Sequence, residues 1–488
     1  MKKIILIILL AVGAFFVAHA NDELISLFPI EHYDQTIAHW IQPSAEDYDK
    51  SLLNADVAAQ HLDLFYHHFY GASSPWNVGY VNRVLQQTEP DSIKSVEVNV
   101  IANFNNENNS GSSVGYGENF RPYDKAWIEA IKNNINMVEW RDASYHANQR
   151  AIAIDNLHAR VLPTDDPFFY NHTLAGEGYP FDNLQMSALW AGTPVYVIAE
   201  TRDHVWSFVI TPDYIAWVKN SGLARVDDDF VNTWVAAAKN KLGAITRTKT
   251  SVVTTKGDFL FTAYVGSVFP VSNQQDNLEL LVPAIGNNHH AVIERAVIAA
   301  DHAALMPLAA TPHNFSNIID TLIGRPYGWG NMYFYNDCSA ELKSLLTPFG
   351  IWLPRHSSAQ VKVGKMVDMT SATPEERLTY LKENGQRLLT IIYIGGHVAL
   401  YTGNEDGMAM TYQNVWGMKP SPPDRRAVIG KSVFLPMLLQ YPEDIMLTSQ
   451  AAKKYFRVSY LSELPSKGLM LQGLPRFIDL RALIFPES

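Results

Sequence analysis

The chain holds one cysteine, Cys338, in a setting that suits a nucleophile. Asn336-Asp337-Cys338-Ser339-Ala340-Glu341 reads as a helix start. Asn336 or Asp337 is a good N-cap, and Glu341 supports the first turn. Leu342, Leu345, Leu346 and Phe349 then form one apolar face, and Gly350 suits the stop position. Cys338 therefore falls in the first turn, where unpaired amides and the positive end of the dipole favour thiolate. The same spot also suits an inert thiol that packs as a small hydrophobe.

A base can come from a hairpin further on. Residues 388–394 form a strongly apolar strand that ends at Gly395-Gly396, and His397 to Tyr401 continue extended. Residues 402–407 are turn text and 408–415 return. If Gly403 opposes Gly407, His397 lies directly opposite Gln413, about 5 Å away on one sheet face. His397 can then take the thiol proton while the Gln413 amide holds the ring. A one-residue slip presents Asn414 instead. Without a thiol nearby, His397 would be a structural histidine on a sheet. Before the cysteine stands the rigid, aromatic segment Gly324-Arg325-Pro326-Tyr327-Gly328-Trp329-Gly330. It is either a structural turn with a packed tryptophan or the source of an oxyanion donor, the Tyr327 hydroxyl.

Other elements must hold these residues. Residues 21–155 read as helical: 45–69 and 124–138 carry apolar residues at helical spacing. His61, His67 and His68 lie in the first of these stretches without metal-ligand spacing, so they read as ordinary surface or partly buried side chains. From residue 156 the period changes to strands, with a helical insert at 227–241. Two SH3-like β-barrels are expected, at 156–215 and 216–286. Residues 287–290 read as a linker, and 287–488 as an α+β catalytic domain. The fold class expected is thus multidomain α+β.

At 488 residues, with 47% apolar and 18% charged, the chain can bury sizeable cores. Its net charge of −11 argues against nucleic-acid binding and against a polybasic membrane surface. One cysteine rules out an internal disulfide and any zinc site that needs two thiolates; no metal site is expected. Lys2 and Lys3, the apolar run 4–17 and Ala18-His19-Ala20 have the layout of a signal peptide over residues 1–20. Export and cleavage to a periplasmic or secreted, membrane-free mature chain are expected. An unpaired thiol in an oxidising compartment hints at chemistry.

Tyr327-Gly328-Trp329-Gly330, Asp337-Cys338-Ser339, Leu353-Pro354-Arg355-His356-Ser357 with Gln360, Gly396-His397-Val398 and Tyr412-Gln413-Asn414-Val415-Trp416-Gly417 occur in that order. In this the chain resembles the NlpC-type family of cell-wall cysteine peptidases. The layout is similar to a subgroup with a helical N-terminal stabilising domain and two bacterial SH3-like domains. The resemblance implies a papain-like catalytic domain that acts on peptidoglycan stem peptides or muropeptides, at a γ-D-glutamyl bond to a diamino acid, without a cofactor. It implies Cys338 as nucleophile, His397 as general base and acid, Gln413 as third member and Tyr327 beside the oxyanion. Asp337 and, less directly, Ser357 match positions that bind the amino terminus of the stem peptide. Gln413 departs from the histidine most often found there, and Ala340 from the usual glycine. An amidase or acyltransferase on the same scaffold, or a non-catalytic wall-binding protein, are the competing readings.

Overall fold

The computed structural model describes residues 24–88, 92–140 and 144–465. The expected signal peptide lies outside the described residues. Among the described residues the N-terminal region contributes four helices of eight residues or more, after a single turn at Ile37–Trp40: α1 (Ala55–Phe69), α2 (Val78–Leu85), α3 (Ile93–Asn103) and α4 (Lys125–Ile135). Each starts where a short polar side chain caps a free amide: Asn54, Asn77, Ser92 and Asp124. The helix expected from residue 45 therefore begins at Ala55. The one expected to reach residue 138 stops at Ile135, because Asn136 turns left-handed (φ 50°). His61 and His68 on α1 are buried, more deeply than expected. His61 Nε2 meets the Leu461 carbonyl at 2.8 Å, and the His68 ring stacks on Trp352 at 3.8 Å.

A first β-unit follows: β1 (Arg150–Ala153), β2 (Leu157–Arg160), β3 (Gln185–Leu189), β4 (Pro194–Glu200), β5 (Trp206–Ile210), β6 (Ile215–Lys219) and β7 (Leu223–Arg225). They pair in the order β3-β2-β6-β5-β4-β1-β7. Helix α5 (Asp228–Asn240), capped by Asp227, leads to a second unit. It holds β8 (Leu242–Ile245), β9 (Thr250–Val253), β10 (Phe259–Ala263), β11 (Val268–Gln274), β12 (Leu278–Ile285), β13 (Ala291–Ile298) and β14 (Ala303–Leu305). Its main sheet runs β13-β12-β11-β8-β14, with β9-β10 as a separate pair.

Neither unit closes into the expected barrel; each sheet keeps two ends. The reason is visible at β3, whose edge is covered by the catalytic region instead. Gln185 Nε2 donates to the Gly330 carbonyl at 2.7 Å, and a Cβ on Gly330 would stand 2.3 Å from the Gln185 carbonyl oxygen. An edge covered by a neighbour needs no closure. The expected linker at 287–290 is the turn between β12 and β13, which pair from Ile285–Ala291 outward.

The catalytic region has helices α6 (Pro312–Leu322), α7 (Cys338–Leu346) and α8 (Pro374–Asn384). Its strands are β15 (Lys365–Asp368), β16 (Thr390–Tyr393), β17 (Val398–Glu405), β18 (Met408–Met418), β19 (Arg426–Met437) and β20 (Arg457–Tyr460). The sheet order is β19-β18-β17-β16-β20-β15, with Ile25–Leu27 added parallel to the β19 edge. Ile318, Ile319, Leu342 and Leu345 from α6 and α7 pack with Val398, Leu400 and Tyr412 on one face. Leu381 of α8 packs with Ile392, Ala399 and Tyr401 on the other. Among the described residues no helix is long and apolar enough to cross a membrane.

Candidate active site

Asp337 caps α7: its Oδ1 accepts from the Ala340 amide at 3.0 Å, which leaves Cys338 as the first helical residue. The apolar face Leu342, Leu345, Leu346 is fully buried and seats the helix on the sheet. Cys338 itself is 7% exposed. Its Sγ lies 4.0 Å from the Gly396 carbonyl oxygen, and the Val398 amide also faces it. The thiol thus abuts the two peptide groups that flank His397, rather than hydrogen-bonding to the ring.

Gly395 and Gly396 make this approach possible. They form a two-residue turn with φ of 78° and 71°, the left-handed conformation that suits glycine and matches the twist of a hairpin. The turn joins β16 to β17 and puts His397 immediately after it. On the other side, β17 and β18 are joined by Asp406-Gly407, and Glu405 faces Met408. Gly403 therefore faces Met410, not Gly407, a shift of three positions. An irregularity at Thr402 gives one back, so Tyr401 faces Thr411 and Leu400 faces Tyr412. The net shift of two is even, which preserves the face of every side chain. His397 and Gln413 still meet, as a diagonal rather than a direct pair: Nε2 to Oε1 is 2.7 Å.

The orientation of Gln413 follows from its other partners. The Thr411 hydroxyl donates to the Leu435 carbonyl at 2.7 Å, so it accepts from Gln413 Nε2 at 2.8 Å. Gln450 donates to Gln413 Oε1 at 3.0 Å. Gln413 Oε1 is thus the atom turned to the imidazole, and His397 Nε2 carries the hydrogen. In the neutral ring the lone pair is left on Nδ1. Asn414 points elsewhere, its Nδ2 donating to the Asn336 carbonyl at 2.8 Å.

Burial sets the charge state. It pushes the Cys338 thiol up to about 12, helped by the Asp337 carboxylate and opposed by the Val398 amide. It pushes His397 down to about 4, against the hydrogen bond that the ring donates to Gln413. Thiolate stabilisation by the helix start is therefore outweighed, and the resting pair is neutral thiol and neutral imidazole. Tyr327, whose ring lies 6.1 Å from that of Trp416, is raised by burial and then by the charges of Cys338 and Asp337, so its phenol stays a donor.

Asp337 is heavily engaged. Arg355 binds both oxygens, at 3.1 and 2.5 Å, and Gly330 and Ser339 donate at 3.1 and 3.2 Å. Burial alone would raise this carboxyl; the Arg355 guanidinium, with the Ala340 amide and the Ser339 hydroxyl, brings it below its ordinary value. Arg355 also donates from Nε to Ser187 Oγ in β3, at 2.8 Å, which ties the cysteine helix to the first β-unit. Ser357 starts the short helix Ser357–Gln360, two residues past Arg355, and is not hydrogen-bonded to Cys338, His397 or Gln413. Glu341 is buried with Tyr412, Ser432 and Asn336.

Two supporting residues carried no assigned role in the sequence. Arg355 left a signal, a cation directly after the apolar run Ile351-Trp352-Leu353-Pro354. Gln450 left none, because it opens the single 3-10 turn Gln450–Ala452, too short to show a period. An aromatic fence extends from Tyr327: beyond Trp416, Phe181 from the first β-unit packs edge-on against Trp416 at 5.7 Å and Trp329 at 5.2 Å. Among the described residues no group of three or more His, Cys, Asp or Glu could hold a metal ion.

Comparison with known proteins matches this architecture. Residues 167–219 match the model of an SH3 domain of SH3b1 type, and 227–275 that of SH3b2 type. The chain superposes on an NlpC/P60 endopeptidase from Photobacterium damselae subsp. piscicida with a TM-score of 0.75 and 26% identity. That match covers 90% of this chain and 99% of the other. This is the NlpC/P60 endopeptidase fold with two bacterial SH3 domains. An NlpC/P60 family protein from Bacillus cereus is more distant: 19% identity, 55% of this chain, 81% of the other and a TM-score of 0.38. No curated protein matches the chain. Within the NlpC/P60 fold, Cys338, His397 and Gln413 occupy one end of the sheet, beside the SH3b1 unit.

Proposed function

We propose that the chain is an exported cysteine endopeptidase that hydrolyses peptidoglycan stem peptides at the γ-D-glutamyl bond to the diamino acid. The observation that carries this reading is the oriented His397–Gln413 pair beside the thiol that opens α7. The solved relative's description as an endopeptidase supports it.

The neutral resting pair sets the order of events. His397 Nδ1 takes the proton from Cys338 as Sγ attacks the carbonyl carbon, and the C=O electrons move to oxygen. Contacts of this kind tighten when substrate is bound. The Tyr327 phenol and the free amides at the start of α7 stabilise the oxyanion. Collapse breaks the C–N bond, and the imidazolium protonates the leaving amine, giving a thioester. His397 then deprotonates a water that attacks the thioester, and the returning proton restores the thiol. Gln413 holds the tautomer throughout, as an uncharged carboxamide.

Asp337 and Ser357 stay the candidates for the stem peptide's amino terminus, with Asp337 as an added contact on a carboxylate already held by Arg355. On the histidine side the setting is cationic: Lys453 faces the imidazole, with Lys419 and Arg426 nearby. This suits the carboxylates of a diamino acid. The aromatic fence favours short, uncrosslinked peptides.

Mass spectrometry of defined muropeptides after incubation with wild type and Cys338→Ala tests the reading. The expected result is release of an N-terminal alanyl-glutamate dipeptide by wild type alone. Cleavage at another bond, acyl transfer, or the same products from Cys338→Ala would contradict it.

A further inference from the structure

The segment Trp329–Phe334 has two neighbours. Its Gly330 amide donates to Asp337, next to the cysteine, whereas its Met332 and Tyr333 line a cavity of about 350 Å3. That cavity lies where the N-terminal region, the SH3b1 unit and the catalytic region meet, and contains none of the residues assigned above to catalysis. Its volume falls within the range of small-ligand sites.

Three aromatic side chains stand open around it, one from each region: Phe120 (64% exposed), Tyr179 (65%) and Tyr333 (63%). Two of them sit on left-handed backbone, with φ of 60° at Phe120 and 54° at Tyr333. A bulky residue rarely takes this conformation, and the strain is typical of ligand clamps. Burial in the core does not explain these rings, since they face solvent. The Phe120 ring leans on the His172 ring, at 4.5 Å.

The floor is polar. Arg160 pairs with Asp182 at 2.5 Å and reaches Gln185 at 3.2 Å. Glu118 lies at the rim and makes no ion pair among the described residues. An apolar ligand would strip water from these groups without replacing it. Asp182 is held by Arg160 and Asp165 by Lys219 at 2.6 Å, so an anion would meet Glu118 and a cation would gain that one unpaired carboxylate. A neutral ring with C–H faces and outward hydroxyls fits both halves: its faces stack on the aromatic rings, and its hydroxyls meet donors and acceptors below.

We propose that this cavity is a carbohydrate subsite, separate from the cysteine, that binds an amino-sugar unit of a wall glycan. The choice of a wall sugar rests on the peptidoglycan reading above; the sugar chemistry rests on the cavity.

The test is calorimetric titration of the full chain carrying Cys338→Ala with di-N-acetylchitobiose and with a peptide-free wall disaccharide. Saturable binding at one site per chain is expected for at least one of them. The double variant Phe120→Asn, Tyr333→Asn keeps residues that tolerate left-handed backbone and deletes both rings. It is expected to bind at least about tenfold more weakly with an unchanged melting curve. No saturable binding of either sugar, or equal binding by the double variant, overturns the proposal. So does loss of binding to a sugar-free stem peptide in place of the sugar. The same double substitution on the Cys338 background is expected to cleave sugar-free stem peptide at the wild-type rate. If sugar binds while wild type cleaves no stem peptide, the peptidase reading fails and the subsite stands.

Discussion

The two SH3 units are used in opposite ways. The SH3b1 unit meets the catalytic region through polar and aromatic contacts close to the cysteine. Ser187 holds Arg355, Gln185 holds the Gly330 carbonyl, and Asp213 holds both Lys343 and the Arg355 amide. Phe181 supplies the fence. The SH3b2 unit packs instead on the later half of α7, where a Cβ on Gly266 would stand 3.0 Å from Ser344 Cα. Its core is shared with Phe65 of α1 and with Phe230 and Trp234 of α5. Two modules of one class thus serve differently: SH3b1 reaches the Asp337–Arg355 pair beside the cysteine as well as Lys343, whereas SH3b2 packs on α7 at Ser344 and shares its core with the helical elements.

The comparison is most exposed at Arg355. Arg355→Met leaves the Asp337 carboxylate buried without its partner, an expected loss of about 3–5 kcal/mol. It also frees β3 from the cysteine helix. Chemical denaturation should show the destabilisation, and kcat/KM should fall in parallel. Retained activity in a folded variant would mean that the SH3b1 unit is not part of the site.

Acid should strike the scaffold side. His61 and His68 join α1 to the catalytic region, and burial pushes them down to about 4 and about 3. Because both values lie below the ordinary 6.5, the unfolded chain takes up these protons first. Stability is therefore complete above about pH 6.5 and lost as pH falls through about 4 for His61 and about 3 for His68, by on the order of a few kcal/mol. Urea midpoints measured across that window read the effect. His397, also lowered, adds to it and keeps the free base uncharged to about pH 4, so the acid limb of kcat/KM should lie well below 6.5.

Phe181→Ala removes two edge-on ring contacts, worth roughly 1–3 kcal/mol together. On the proposed reading, in which the fence borders the bound peptide and not the thiol, the expected signature is a raised KM with kcat little changed. Gly266→Ala should do the reverse: about 1–2 kcal/mol of stability lost to the left-handed backbone (φ 86°) and the close approach, with kcat/KM unchanged at permissive temperature.

Much of this was readable from local signals. The cap at Asp337, the α7 face and the Gly395-Gly396 turn each follow from short-range chemistry. The meeting of His397 with Gln413 was also legible, although the register was not. Asp406-Gly407 is the better two-residue turn, and the irregularity at Thr402 has no mark in the sequence. Its effect cancelled only because the total shift was even. Barrel closure could not be read because the β3 edge is covered by residues far along the chain. Gln450 stayed hidden for the same reason: it acts through one long-range amide pair. The charge state of the thiol was left open by position alone, and burial with Asp337 acts against the helix start.

The central claim is that Cys338 forms the covalent intermediate with stem peptide. Wild type and His397→Ala should be mixed with a stem tripeptide, quenched in acid, and read by intact-protein mass and peptide mapping. An acyl adduct on Cys338 in wild type, persisting longer or forming more slowly in His397→Ala and absent from Cys338→Ala, is expected. Peptide hydrolysis by Cys338→Ala, or an adduct mapped to another residue, would contradict the account.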